Sequence, residues 1–196
     1  MPKHDNTISD FISLFNAFWY RDFPLSQSYK ILGSRAEWTT HIGSCVKSCA
    51  DMLGYFTYFE SGIRTDAIIR DNHENDIAHI EWEWWQPHLA RVNEVQKLVL
   101  KRNEAKFSVF FTYSKQDEVN THGRNIESIR KQWGISPNPL IVFLVTFKRK
   151  KNARWFNELE TYIVKDGKMR KIRTQPALPW DKKGTRWEIK PSDDLN

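Results

Sequence analysis

Apolar side chains return every three or four positions near the start of the chain. Ile8, Phe11, Ile12, Leu14, Phe15 and Phe18 fall on one broad face behind the polar caps of "NTISD", which predicts an amphipathic helix. After the connector "PLSQSYKILG", a second helix is expected from Ser34 to about Leu53, with Trp38, Ile42, Cys45, Cys49 and Leu53 as its stripe and Gly54 ending it. The period then drops to two. "YFTYFESG" and "IRTDAIIR" read as strands joined through Ser61 and Gly62, and the polar turn "DNHEND" leads into a third strand, "IAHIEWEWW".

Pro87 stops that strand, and a helix is expected from about His88 to Lys106 with Leu89, Val92, Val95 and Val99 inward. "FSVFFTYS" returns to strand, "HGRNIESIRKQWG" is a helix closed by Gly134, and "PLIVFLVTFK" is an almost wholly apolar strand suited to burial on both faces. The remainder, "WFNELETYIVKDGKMRKIR", reads as a hairpin turning at Asp166 and Gly167. The order predicts a mixed α/β fold: a central sheet of four to five strands flanked by helices, with a C-terminal hairpin appended. At 196 residues the chain fits one domain, with residues 1–33 as N-terminal helix and connector, 34–148 as core and 149–196 as basic hairpin and tail.

Charge changes the picture more than length does. The formal net charge is +6 and the sequence pI about 9.3, a balance that favours a polyanionic partner. The opening "MPKHDNTISD" carries no apolar stretch, and the longest apolar run is far too short to span a bilayer, so a non-secreted, cytoplasmic protein without membrane association is expected. Cys45 and Cys49, four apart on a helix, are too distant for an unstrained disulfide and are expected to be reduced and buried. The sequence contains no glycine-rich phosphate loop and no G-x-S-x-G elbow, which removes support for P-loop and serine-hydrolase chemistry.

The stretch "RTDAIIRDNHENDIAHIEWEWW" is the unusual one: acidic side chains stand among isoleucines and tryptophans in a basic protein. Side chains alternate across a strand, so Glu81 and Glu83 share a face with His79 and Trp85, while Ile80, Trp82 and Trp84 take the other. Asp66 lies on the preceding strand. If the register brings Asp66, Glu81 and Glu83 together, their mutual repulsion and burial call for a cation, and hard oxygen donors suit Mg²⁺, with Mn²⁺ as an alternative ion. Alternation by itself accounts for Glu81 and Glu83 equally well as the wet face of a half-solvated strand.

The order of elements adds to this. An Asp on one strand, a hairpin to a strand bearing Glu-x-Glu, then a helix and further core elements, resembles the PD-(D/E)XK nuclease superfamily across roughly Ser34 to Lys148. The motif residues are Thr65-Asp66 and Glu81-Trp82-Glu83, with Thr65 in the place of the usual proline and Glu83 in that of the usual lysine. The resemblance implies a restriction-endonuclease-like core and a Mg²⁺-dependent endonuclease acting on DNA as a homodimer. In it, Asp66, Glu81 and Glu83 would be catalytic, and Asp66, Glu81, the Trp82 carbonyl and Glu37 would hold the metal. "SRAE" also reads as a capping box, which gives Glu37 a second role. Arg91 or Lys97 on the next helix could stand in for the missing lysine.

Basic residues concentrate late. From Lys148 to Arg173 ten basic residues (among them Lys148, Arg149, Lys150, Lys151, Arg154, Lys168, Arg170, Lys171 and Arg173) face three acidic ones, a local excess larger than the net charge of the whole chain. A phosphate backbone would bind such a surface by counterion release, and Trp155, Trp180 and Trp187 stand among these residues where they could stack on bases. An ordinary solvated hairpin explains each residue singly. His79 and His88 raise a zinc alternative, but their spacing matches no helix-borne motif. Two further readings stay open: an inactive nucleic-acid-binding protein of the same fold, and a protein-interaction module with a basic face.

Overall fold

The computed structural model describes residues 6–21, 23–24, 35–61, 65–150 and 153–184. Its elements follow the order α1 (Thr7–Arg21), α2 (Arg35–Met52), β1 (Phe56–Ser61), β2 (Thr65–Arg70), β3 (Asp76–Glu83), α3 (Glu94–Lys101), β4 (Phe107–Lys115), α4 (Thr121–Trp133), β5 (Leu140–Lys150), β6 (Ala153–Lys165), β7 (Lys168–Pro176) and a short 3₁₀ turn at Pro179–Asp181. All strands join one seven-stranded sheet in sequence order. β3, β4 and β5 run parallel at its centre, and antiparallel pairs β1–β2–β3 and β5–β6–β7 extend it on both sides.

The mixed α/β class is as expected; the sheet is larger than the four to five strands the sequence suggested. The hairpin is not an appendage. β6 pairs with β5 nearly from end to end, and its alternation serves both faces, with Phe156 and Leu159 in one core and Tyr162 and Val164 in the other. β7 then closes the row through a turn in which Asp166 (φ 51°) and Gly167 (φ 72°) both adopt the left-handed region a tight hairpin requires.

Helices α1 and α2 cover one face. Phe15 stacks on Phe143 at 4.1 Å between centroids, and Trp19 lies between Trp38 and Phe111 at 5.6 and 5.4 Å. Each such ring contributes about 1.5–3 kcal/mol by leaving water. Cys45 and Cys49 are free thiols buried in this layer. The opposite face is covered by α3 and α4 through Val95, Leu98, Ile129 and Trp133, packed on Phe110, Val142, Leu144 and Tyr162. Asn120, at φ 54°, caps α4 by accepting the Gly123 N–H at 3.1 Å, and Gly134, at φ 65°, ends it.

α3 is shorter than the sequence suggested, beginning at Glu94 rather than near His88. The segment after Pro87 is tied to other elements instead of to itself. Gln86 Oε1 accepts from Lys115 N–H and Asn125 Nδ2 at 2.9 Å each, and Asn125 Oδ1 accepts from His88 N–H at 3.2 Å. Beyond α3, Asn138 Nδ2 donates to the carbonyls of Arg102 and Ala105 at 3.0 Å, satisfying a chain that has already left the helix. Among the described residues no helix is long and apolar enough to cross a membrane.

Candidate metal centre

Antiparallel register decides which carboxylates meet. Ala67 pairs with Ile80, so the next position along sets Asp66 opposite Glu81 on the face covered by α3. Asp66 is half-buried; its Oδ2 accepts the Trp82 N–H at 2.7 Å, a bond that fixes the carboxylate against β3. Glu81 is 1 % exposed. Its Oε2 faces Lys97 Nζ at 3.4 Å, while its Oε1 is buried with no N–H donor, and its carboxyl hydrogen-bonds that of Asp66. Lys97 also lies 3.4 Å from Glu94 Oε1, and the other oxygen of Glu94 is again buried and unpartnered.

The electrostatics follow from that crowding. Burial raises the Asp66 carboxyl above its usual range, against the Trp82 hydrogen bond, the charge of Lys97 and a hydrogen bond with the Glu81 carboxyl. Burial first, and then the charge of Asp66, push Glu81 up to about 8, with Lys97 pulling the other way. Burial works against the charge on Lys97, but Glu81 and Glu94 outweigh it and hold the ammonium above its ordinary pKa. The protein thus keeps two apposed carboxylates in poor solvation, with one cation that it shares with a third carboxylate. A divalent ion between Asp66 and Glu81 would relieve that repulsion and balance a Glu81 oxygen that has no N–H donor, so the residues present fit such an ion.

Asp66 and Trp82 line two adjoining clefts that open on Asp66, while Glu81 lines neither. One, of about 440 Å³, runs under α2 past Thr39, Gly43, Ser44 and Phe59; the other, of about 200 Å³, lies beside Arg35, Glu83 and Tyr113. A larger cleft of about 1120 Å³ opens elsewhere, between Lys115, Asp117, His122, Lys148, Arg149 and Glu158. Its lining is of mixed sign, and none of those residues has a buried unpartnered atom.

The other anticipated residues are spread more widely. Glu83 does not join the pair: its Oε1 accepts the N–H groups of Trp84 and Trp85 at 2.5 and 2.9 Å, capping the bend that ends β3, and it lies 3.7 Å from Arg35. Glu37 sits in the exposed first turn of α2, and Ser34, its capping partner, is outside the described residues. Of the two basic candidates, Lys97 reaches the carboxylates, whereas the Arg91 guanidinium lies 3.7 Å above the Trp85 ring. Glu94 was not anticipated. Its only sequence signal is its position three residues ahead of Lys97 on the same helix face.

The histidines are engaged elsewhere. His88 Nδ1 meets Asn125 Oδ1 at 2.6 Å. His79 is fully buried, with Nε2 2.8 Å from Asp76 Oδ2, while Asp76 Oδ1 accepts from Arg70 Nε at 2.7 Å. With the exposed Glu104, Asp76 and His79 form a group close enough to hold a metal ion. Asp76 there already has both oxygens bonded by the protein, while His79 Nδ1, like Glu81 Oε1, is buried without a donor or acceptor.

The basic residues divide into three sets. Lys148 and Arg149 are exposed at the end of β5, and Lys168 and Arg170 are exposed on β7. Arg154 instead turns inward, over the Trp84 ring at 4.0 Å and bonded to the Trp84 carbonyl at 3.2 Å, and burial lowers its pKa to about 10. Lys171 bonds Glu160, and Arg173 Nε donates to Gln175 at 3.0 Å. Lys151 and the side chain of Lys150 lie outside the described residues, as does Trp187. Trp155 is 47 % exposed, whereas Trp180 packs edge-on against Phe23.

No protein-family model matches the chain. No curated protein matches it either. Among solved structures it is similar to the YaeQ protein of Xanthomonas axonopodis pv. citri, at 11 % identity over 78 % of this chain and 84 % of that one, with a TM-score of 0.33. It is also similar to the YaeQ protein of Pseudomonas syringae, at 9 % identity over 90 % of this chain and 80 % of that one, with a TM-score of 0.26.

Proposed function

We propose that this chain is a Mg²⁺-dependent endonuclease that hydrolyses phosphodiester bonds in DNA, of the kind the PD-(D/E)XK resemblance implies. The observation that carries this reading is Glu81: a carboxylate 1 % exposed, set against the Asp66 carboxyl, with one oxygen that receives no N–H donor. Asp66 and Glu81 would supply the charged oxygens for Mg²⁺ or Mn²⁺, with the carbonyl of Trp82 beside them. A divalent ion bound there supplies a more acidic water and stabilises negative charge on a phosphate.

The protein's own groups do the rest. Trp82 N–H holds Asp66 in place, so the carboxylate is preorganised rather than recruited. Lys97, 3.4 Å from Glu81, takes the part that the missing lysine of the Glu-x-Glu motif leaves open, presenting N–H donors to an approaching oxygen. That placement favours an active enzyme over an inactive relative, because the loss of lysine from β3 is compensated from α3. Glu83 supports the bend after β3 and has no direct part in the chemistry. Exposed Lys148, Arg149, Lys168 and Arg170 would contact phosphates along the duplex, and a homodimer would be required to cut both strands.

Plasmid nicking tests the assignment. With Mg²⁺ or Mn²⁺ the protein is expected to convert supercoiled plasmid to open circle, and Asp66→Ala to lose roughly three orders of magnitude, since several kcal/mol of transition-state stabilisation depend on the ion. No cleavage with either metal, or equal cleavage by Asp66→Ala, would exclude the function.

A further inference from the structure

Resting on the metal site proposed above, we infer that Glu94 is a positioning residue that draws the Lys97 ammonium away from Glu81 and so leaves Glu81 available to a divalent ion. The two carboxylates lie on either side of one ammonium. Lys97 Nζ is 3.4 Å from Glu81 Oε2 and 3.4 Å from Glu94 Oε1, so neither pair has collapsed to the short contact of a dedicated ion pair. An ammonium has three protons and a flexible stem; with a single carboxylate in reach it settles on that carboxylate. Here it is held between two.

The location of Glu94 fits this division of the charge. It is the first residue of α3, three positions before Lys97 on the same helix face, and its side chain is directed inward, with the residue 9 % exposed. Its Oε2 is buried and unpartnered, so Glu94 is not consumed by capping its own helix; Asn93, the residue at the cap, makes no side-chain cap bond. An acidic group kept in that position at a desolvation cost and engaged, among the described residues, only with Lys97 is explained by what it does to Lys97. Were Glu94 neutral, the ammonium would shift onto Glu81 and compete with the ion for the same carboxylate.

A double-mutant cycle on Mn²⁺ affinity, measured by titration calorimetry, tests this directly. Glu94→Gln is expected to weaken Mn²⁺ binding roughly three- to tenfold in the wild-type background and by less than about twofold in a Lys97→Met background, because the effect passes through the ammonium. In plasmid nicking the same variant should lower kcat and leave the KM for DNA unchanged. Glu94→Ala serves as the second variant if the glutamine protein does not fold, with the same coupling expected. Equal losses in both backgrounds, or no loss in either, would overturn the role of Glu94 while leaving the metal site standing. A wild-type protein that binds no Mn²⁺ would overturn both.

Discussion

Glu160 and Glu81 occupy the same face of the sheet, three strands apart, and are buried to nearly the same degree, at 2 % and 1 % exposure. Around Glu160 the protein supplies everything. Tyr162 Oη donates to Oε2 at 2.6 Å, His122 Nε2 lies 3.4 Å from the same oxygen, and Lys171 bonds Oε1. Around Glu81 it supplies half: one oxygen shares a lysine, the other receives no N–H donor, and among the described residues the carboxylate's only further hydrogen bond is with the opposing carboxyl of Asp66. A carboxylate fully bonded by its own protein is a structural element. One left partly unbonded beside another acid is poorly solvated in the free state and would gain from a cation.

The largest separation between the two should appear in stability. Glu160→Ala removes the shared acceptor of Tyr162, His122 and Lys171 and is expected to cost about 2 kcal/mol in a denaturant titration. Most of that arises from the buried Tyr162 hydroxyl, since Lys171 is 45 % exposed and can return to water. Glu81→Gln, which removes a poorly solvated charge, should leave the metal-free protein unchanged or stabilise it by about 1 kcal/mol at pH 8. A loss at Glu81 as large as that at Glu160 would make the two sites equivalent.

A smaller, pH-dependent effect sharpens the contrast. Glu81 is pushed from 4.5 to about 8 in the folded protein, first by burial and then by Asp66, so the unfolded chain releases its proton earlier than the folded one. No penalty exists below pH 4.5; it accumulates as pH rises and is complete above about 8. Asp66, raised in the same direction by its burial, adds to it. The metal-free protein should therefore lose thermal stability between pH 5 and 8, and saturating Mg²⁺ should flatten that slope. A profile identical with and without Mg²⁺ would dissociate the carboxylate pair from any ion.

What could be read from the sequence is what local periodicity sets. The inward faces of α1 and α2, the β2–β3 hairpin that brings Asp66 toward Glu81, and the Asp166–Gly167 turn all follow from spacing within a few residues. What could not be read depends on distant partners. The joining of β6 and β7 to the main sheet is decided by long pairing with β5, and the late start of α3 by Gln86 and Asn125. That start also separates Arg91, which lies before the helix and over the Trp85 ring, from Lys97, which lies within it beside Glu81. Glu83 left the expected trio because two bend N–H groups at Trp84 and Trp85 needed an acceptor, a demand invisible in a strand pattern.

The most direct test is calorimetric titration of Mn²⁺ into the wild-type protein, Glu81→Gln and Glu160→Gln at pH 8. The account predicts one saturable site in the wild type, the same site in Glu160→Gln, and no binding in Glu81→Gln. Binding by Glu81→Gln with wild-type affinity, or a wild-type protein that takes up no ion at all, would contradict it.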